Sequence, residues 1–343
     1  VSQSNVSSQS TPSVARGVGL AAFLFLLVQL GALALVPDFS DAGLQATPDP
    51  SDPTNTLVYV GAILVMTALM LLAFKFGADQ VVKLVILLTS GMLSWYVFAV
   101  ILPGPAALVA AGLVPLLLWQ YPEWYVIDGT GAVIGAAAAG VFGISFGLLP
   151  AILLLVVLAV YDAISVYGTE HMLDLASGVM DLKIPVVLVI PLTWDYSLLD
   201  EQPSEGTDSL EGSDDTEASE TTAADGSGDG PHADSPEEPE GTREVFFIGL
   251  GDAVMPTVLV ASAAFFSPAA SLGVPGLPGL NLPALLGMVG TFVGLGILLR
   301  MVLKGRAHAG LPLLNGGTIA GYLLGSIISG VPLVTALGLG PYL

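Results

Sequence analysis

Two acids of this chain lie where apolar sequence should cross a bilayer: Asp162 within LLLVVLAVYDAISVY and Asp252 within VFFIGLGDAVMPTVLVA. An ionisable side chain at the bilayer centre costs roughly 2.5–3.5 kcal/mol on insertion scales, so such a residue is usually kept for function. Two carboxylates held together in a low dielectric cannot both ionise, and one keeps a proton. The ionised member can take a proton from a water as that water attacks a peptide carbonyl. The protonated member can donate to the carbonyl oxygen. Titration belongs to the pair, so the two roles are not assigned to individual residues. The chemistry implied is peptide-bond hydrolysis inside a membrane.

The neighbours of Asp252 fit that chemistry. Gly249 and Gly251 remove side chains where a substrate backbone must come close. Pro256 lacks an N–H, so the Asp252 carbonyl loses its helical partner and the helix is loosened beside the acid.

The elements that must position the pair are membrane helices. Mean hydropathy is +0.82, and 54% of the 343 residues are hydrophobic. Apolar runs of spanning length predict nine spans, at 17–36, 56–76, 81–102, 105–119, 127–146, 148–167, 245–267, 283–303 and 311–329. The expected fold is all-α, polytopic, with lipid as solvent. Asp162 precedes the inner end of the sixth span and Asp252 follows the inner start of the seventh. At about 1.5 Å per residue both lie roughly 8–11 Å from the same face.

The basic residues set the orientation. There are eight: Arg16, Lys75, Lys83, Lys183, Arg243, Arg300, Lys304 and Arg306. With the N-terminus in the cytoplasm, all fall at or near the inner side, as the positive-inside rule asks. Trp119, Tyr121, Trp124 and Tyr125 flank the fourth-to-fifth turn like an interfacial aromatic belt. A cleaved signal peptide ending near Ala32-Leu33-Ala34 is the alternative for the first span; it leaves the other eight in the same orientation.

Along the chain, residues 1–16 read as a disordered tail and 17–194 as the first six spans plus an interfacial segment, mildly amphipathic over 169–183. A short run at 184–193, with two prolines, reads as extended or re-entrant. Residues 195–244 hold 17 of the 29 acidic residues and one base, Arg243. They form an expected disordered cytoplasmic loop, and 245–343 carry the last three spans. The acidic excess argues against nucleic-acid partners and fits a high-salt cytoplasm. Gly131, Gly135, Ala139 and Gly143 recur every four positions and let helices approach closely.

Other motifs carry less. Gly143-Ile144-Ser145-Phe146-Gly147 matches a nucleophile elbow, but no strand precedes it and no span offers a suitably placed His. Gly129 and Gly131 also lack a preceding strand, which disfavours a nucleotide loop. There is no cysteine and no HExxH, and His171, His232 and His308 are isolated; neither metal nor cofactor is expected. Asp128 reads as the N-cap of the fifth span, and Glu170 and Asp174 as solvated acids.

Tyr161-Asp162 resembles the YD motif, and Gly249-Leu250-Gly251-Asp252 the GxGD motif, of presenilins and signal peptide peptidases. The family's third element, Pro-Ala-Leu before the ninth span, has two candidates. Pro283-Ala284-Leu285 matches literally but opens the eighth span on the outer side. Gly310-Leu311-Pro312 opens the ninth on the inner side, just after the basic turn, and is taken as the counterpart, with Gly in place of Ala and the first Pro replaced. The resemblance covers most of the chain, and its orientation is that of presenilins rather than the inverted signal peptide peptidases. It implies a presenilin-like fold and an archaeal, haloarchaeal origin. It also implies an aspartyl endopeptidase in the cell membrane whose partners are single-span substrates. A substrate helix would unwind and pair with an extended segment near 240–246 and with Leu311-Pro312. Homo-oligomers and accessory subunits stay open. The rival expectation is a proton- or cation-coupled transporter, which also uses intramembrane carboxylates.

Overall fold

A computed structural model describes residues 11–168, 187–193, 196–198, 245–303 and 309–343. Its long helices are α1 (Thr11–Asp41), α2 (Thr54–Lys75), α3 (Asp79–Ile101), α4 (Gly104–Gln120), α5 (Trp124–Ser145), α6 (Leu148–Gly168), α7 (Leu250–Phe266), α8 (Leu282–Val302) and α9 (Leu311–Ile328). A short α10 (Leu333–Ala336) follows. Among the described residues, seven helices are long and apolar enough to cross a membrane. The other two long helices, α4 and α7, are apolar but have 17 residues each.

The fold is not purely helical. Strand β1 (Val187–Pro191) pairs antiparallel with β2 (Val245–Gly249), with Val189 opposite Phe247. The extended reading of 184–193 holds over Val187–Pro191. The expected seventh helix from 245 is corrected: its first five residues are strand and the helix begins at Leu250. A continuous apolar run does not reveal its own period, and the pairing partner lies more than fifty positions earlier in the chain. Beyond the expected loop boundary at 195, Tyr196 and Leu198 are buried. The histidines, Glu170, Asp174 and most of the 195–244 loop lie outside the described residues.

Helix α5 is the axis of the bundle, packed against α1, α3, α7 and β1. Its small residues are the reason. A Cβ on Gly143 would run into Ala261 of α7, and one on Gly135 would stand 3.2 Å from Leu250 and 3.3 Å from Val254. The second close pair is α8 with α9, where Cβ atoms on Gly290, Gly294, Gly317 or Gly321 would meet carbonyl oxygens of the facing helix. Lipid tails are as apolar as the side chains, so backbone approach and dispersion replace the hydrophobic effect as the packing force.

Polar ties fix the helix ends. The Ser145 hydroxyl accepts the Ala46 N–H at 2.8 Å and donates to the Val141 carbonyl at 2.6 Å. That assigns the serine of the elbow-like motif to anchoring the loop between α1 and α2. Asn281 caps α8 by accepting the Ala284 N–H, and donates to the Ala263 carbonyl at the end of α7. The N-cap expectation for Asp128 is corrected. Helix α5 starts at Trp124 behind Glu123, so Asp128 lies inside the helix, buried.

Candidate active site

Asp162 sits six residues before the end of α6 and is 8% exposed. Asp252 is the third residue of α7, in its first turn. Both line one cavity of about 1130 Å³, and they are close enough to interact electrostatically. Tyr161, Gly249, Gly251, Gly310 and Leu311 line it too, with β2 along one wall. The rest of the wall is apolar, from Ile63, Leu158, Met255 and Leu298 among others, and no Lys, Arg or His is among the described lining residues.

The start of α9 joins the two acids. The Leu311 N–H donates to Asp162 Oδ2 at 3.0 Å, and the Gly310 N–H also bonds Asp162. Leu311 is the first residue of its helix, so this N–H is one of the four that no helical carbonyl can satisfy. A carboxylate is its natural partner. On its other side Gly310 faces Asp252: a Cβ there would stand 3.2 Å from one carboxylate oxygen and 3.4 Å from the other. A side chain larger than methyl would displace the acid. Asn315, one turn on, donates to the Leu155 carbonyl at 2.9 Å and ties α9 to α6.

Local sequence explains these placements. Gly249 is the last residue of β2 and the N-cap of α7. A Cβ on it would be 3.6 Å from Asp252 Oδ2. Pro256 lies inside α7, four residues beyond the acid.

The other sequence-derived candidates divide. Leu250 turns away, against Gly131 and Gly135 of α5. Pro312 belongs to the first turn of α9 and does not line the cavity. Pro283 and Ala284 are buried at the start of α8, where Pro283 faces Gly325 of α9. Among the described residues no group of three or more His, Cys, Asp or Glu is placed to hold a metal.

Sequence reasoning missed the hairpin's polarity. The Val189 N–H donates to Asp128 Oδ1 on α5 at 2.7 Å, away from β2. Val189 and Phe247 are therefore a non-hydrogen-bonded pair, and the N–H and C=O of Phe247 turn to the free edge of β2. Phe247 is among the residues lining the cavity. The signals were the β-branched run Val186-Val187-Leu188-Val189-Ile190 and the Phe246-Phe247 pair.

A family profile described as signal-peptide peptidase, presenilin aspartyl protease matches residues 22–331. The chain belongs to the signal-peptide peptidase and presenilin family of aspartyl proteases. A solved structure of a presenilin family intramembrane aspartate protease, in space group C222, is similar at 30% identity and a TM-score of 0.60, covering 91% of this chain and 99% of that one. The same description in space group P2 gives 30% identity and a TM-score of 0.57, over 90% and 96% of the two chains. No curated protein matches. Membership makes this a multi-pass membrane protein and an intramembrane aspartyl protease, and it does not favour the transporter reading.

Proposed function

We propose that Asp162 and Asp252 are the catalytic pair of this protease, cutting transmembrane segments of membrane proteins near the inner face of the cell membrane. The observation that carries the assignment is the start of α9, whose Leu311 N–H bonds Asp162 while Gly310 lies against Asp252. One carboxylate is ionised and removes a proton from water as the water oxygen bonds to the scissile carbonyl carbon. The protonated partner gives its proton to the carbonyl oxygen, and a tetrahedral diol forms. As the C–N bond breaks, a diol hydroxyl returns its proton to one carboxylate and the other protonates the leaving nitrogen. The apolar wall keeps this exchange in a low dielectric, where each interaction counts for more.

Peptide bonds of a helical substrate are shielded, so the helix must open before it is cut. The free edge of β2 offers the opened strand the N–H and C=O of Phe247, a few residues from Asp252. The Leu311 N–H already serves Asp162, so its part is to hold the acid rather than to bind substrate. Nine spans, with the N-terminus and the 195–244 loop in the cytoplasm, complete the proposal. The basic residues support that orientation.

The test is cleavage of a labelled single-span peptide in liposomes at high salt. Wild type should cut within the span, and Asp162→Ala and Asp252→Ala should each reduce the rate to background. Equal cutting by both variants would remove the pair from the mechanism.

A further inference from the structure

Asp128 is a third acid within the apolar helices, and the reaction above has no use for it. It lies in the second turn of α5 and is 3% exposed. Oδ1 accepts the Val189 N–H at 2.7 Å, while Oδ2 is buried with no hydrogen-bond partner among the described residues. An acid so poorly satisfied destabilises the fold unless the bond it makes serves something else.

Its neighbours on α5 indicate what that is. At the helix start, buried Glu123 accepts the Ser197 hydroxyl at 2.7 Å and the Leu198 N–H at 3.1 Å. One turn beyond Asp128, a Cβ on Gly131 would stand 3.1 Å from Leu188 Cδ2, so the missing side chain lets β1 settle on the helix. Strand β1 and its continuation to Leu198 are thus fastened to α5 at three points, two of them carboxylates that accept backbone N–H groups. On the same face of the strand pair as Leu188, Gly17 of α1 meets Ile190, Leu192 and Phe246.

A two-stranded hairpin has two free edges, and either can accept a third strand. Asp128 occupies the edge of β1. The edge left open is that of β2, whose last residue caps the helix bearing Asp252. We propose that Asp128 is a positioning residue for proteolysis: by taking the Val189 N–H it closes the β1 edge and holds the hairpin so that a substrate strand adds at β2. This rests on the protease reading above.

The test combines peptide cleavage kinetics with hydrogen exchange on the substrate-free protein. Asp128→Leu keeps the branched shape and deletes the acceptor. It should lower kcat/KM at least about tenfold, mostly through KM, and speed exchange over 187–191 and 245–249 by a similar factor, with α8 and α9 unchanged. Asp128→Asn keeps an acceptor oxygen and should recover most of both losses. Val189→Pro deletes the donor at an N–H that faces away from β2, where proline is tolerated, and should repeat the Asp128→Leu pattern. Wild-type KM and hairpin exchange in Asp128→Leu would overturn the proposal. So would a folded Asp128→Asn as impaired as Asp128→Leu. If Asp128→Leu does not fold, wild-type values in Val189→Pro overturn it alone. If the wild type itself cuts nothing, the protease reading fails, while the exchange rates of the hairpin still support or refute the latch.

Discussion

At the scale of single residues, one backbone N–H carries unusual weight. Leu311 donates to Asp162 from the first position of α9, where proline is conformationally welcome. Leu311→Pro therefore removes the donor without costing α9 a helical hydrogen bond. A hydrogen bond to a charged group contributes about 1.5–3 kcal/mol, and each 1.36 kcal/mol is about tenfold in rate. We expect Leu311→Pro to cut a single-span peptide roughly 10–100-fold more slowly than Leu311→Met, which keeps the N–H. Equal kcat/KM for the two would mean that Asp162 does not depend on this bond. The pair Tyr161-Asp162 and the Gly249-to-Asp252 run were legible in the sequence, because acids inside apolar runs are rare. The Leu311 bond was not, because a backbone N–H has no sequence signature of its own.

At the scale of elements, glycine spacing decides which helices touch. Gly317 of α9 faces the Gly290 carbonyl of α8, so a larger side chain must force the helices apart. Gly316, its neighbour, is exposed and has no other atom within 4 Å of its Cβ position. Overpacking costs about 1–3 kcal/mol or more, so Gly317→Leu should lower the thermal midpoint in detergent by several degrees while Gly316→Leu stays near wild type. Similar midpoints for the two would deny the α8–α9 contact. The four-residue spacing from Gly131 to Gly143 was visible in the sequence, though not its partners. Structure gives α7 to Gly143, β1 to Gly131, and Leu250, Val254 and Val28 to Gly135. The hairpin was half legible: 184–193 read as extended, but 245–249 was absorbed into a helix because its pairing partner is distant.

At the scale of the whole molecule, the proposed orientation rests on the eight basic residues. The chain has no cysteine, so single introduced thiols report cleanly. With a membrane-impermeant maleimide, Ser271→Cys should label in intact cells and Gln80→Cys only after permeabilisation. Labelling of Gln80→Cys from outside would invert the topology and place the aspartates near the opposite leaflet. Both positions are exposed loop or helix-end sites.

The sequence by itself determined that the chain lives in a membrane, where most of its helices run, and which two acids stand in apolar runs beside family-like motifs. Those properties are local: length, hydropathy and the cost of a buried charge depend on what stands at each position. Tertiary structure alone decided that the start of α9 reaches both aspartates and that β2 is strand rather than helix. It also turned Asp128 from an expected cap into a clamp on Val189. Each of these depends on a partner far away in the chain, and a one-dimensional pattern holds no record of which distant backbone group will arrive to satisfy a buried donor or acceptor.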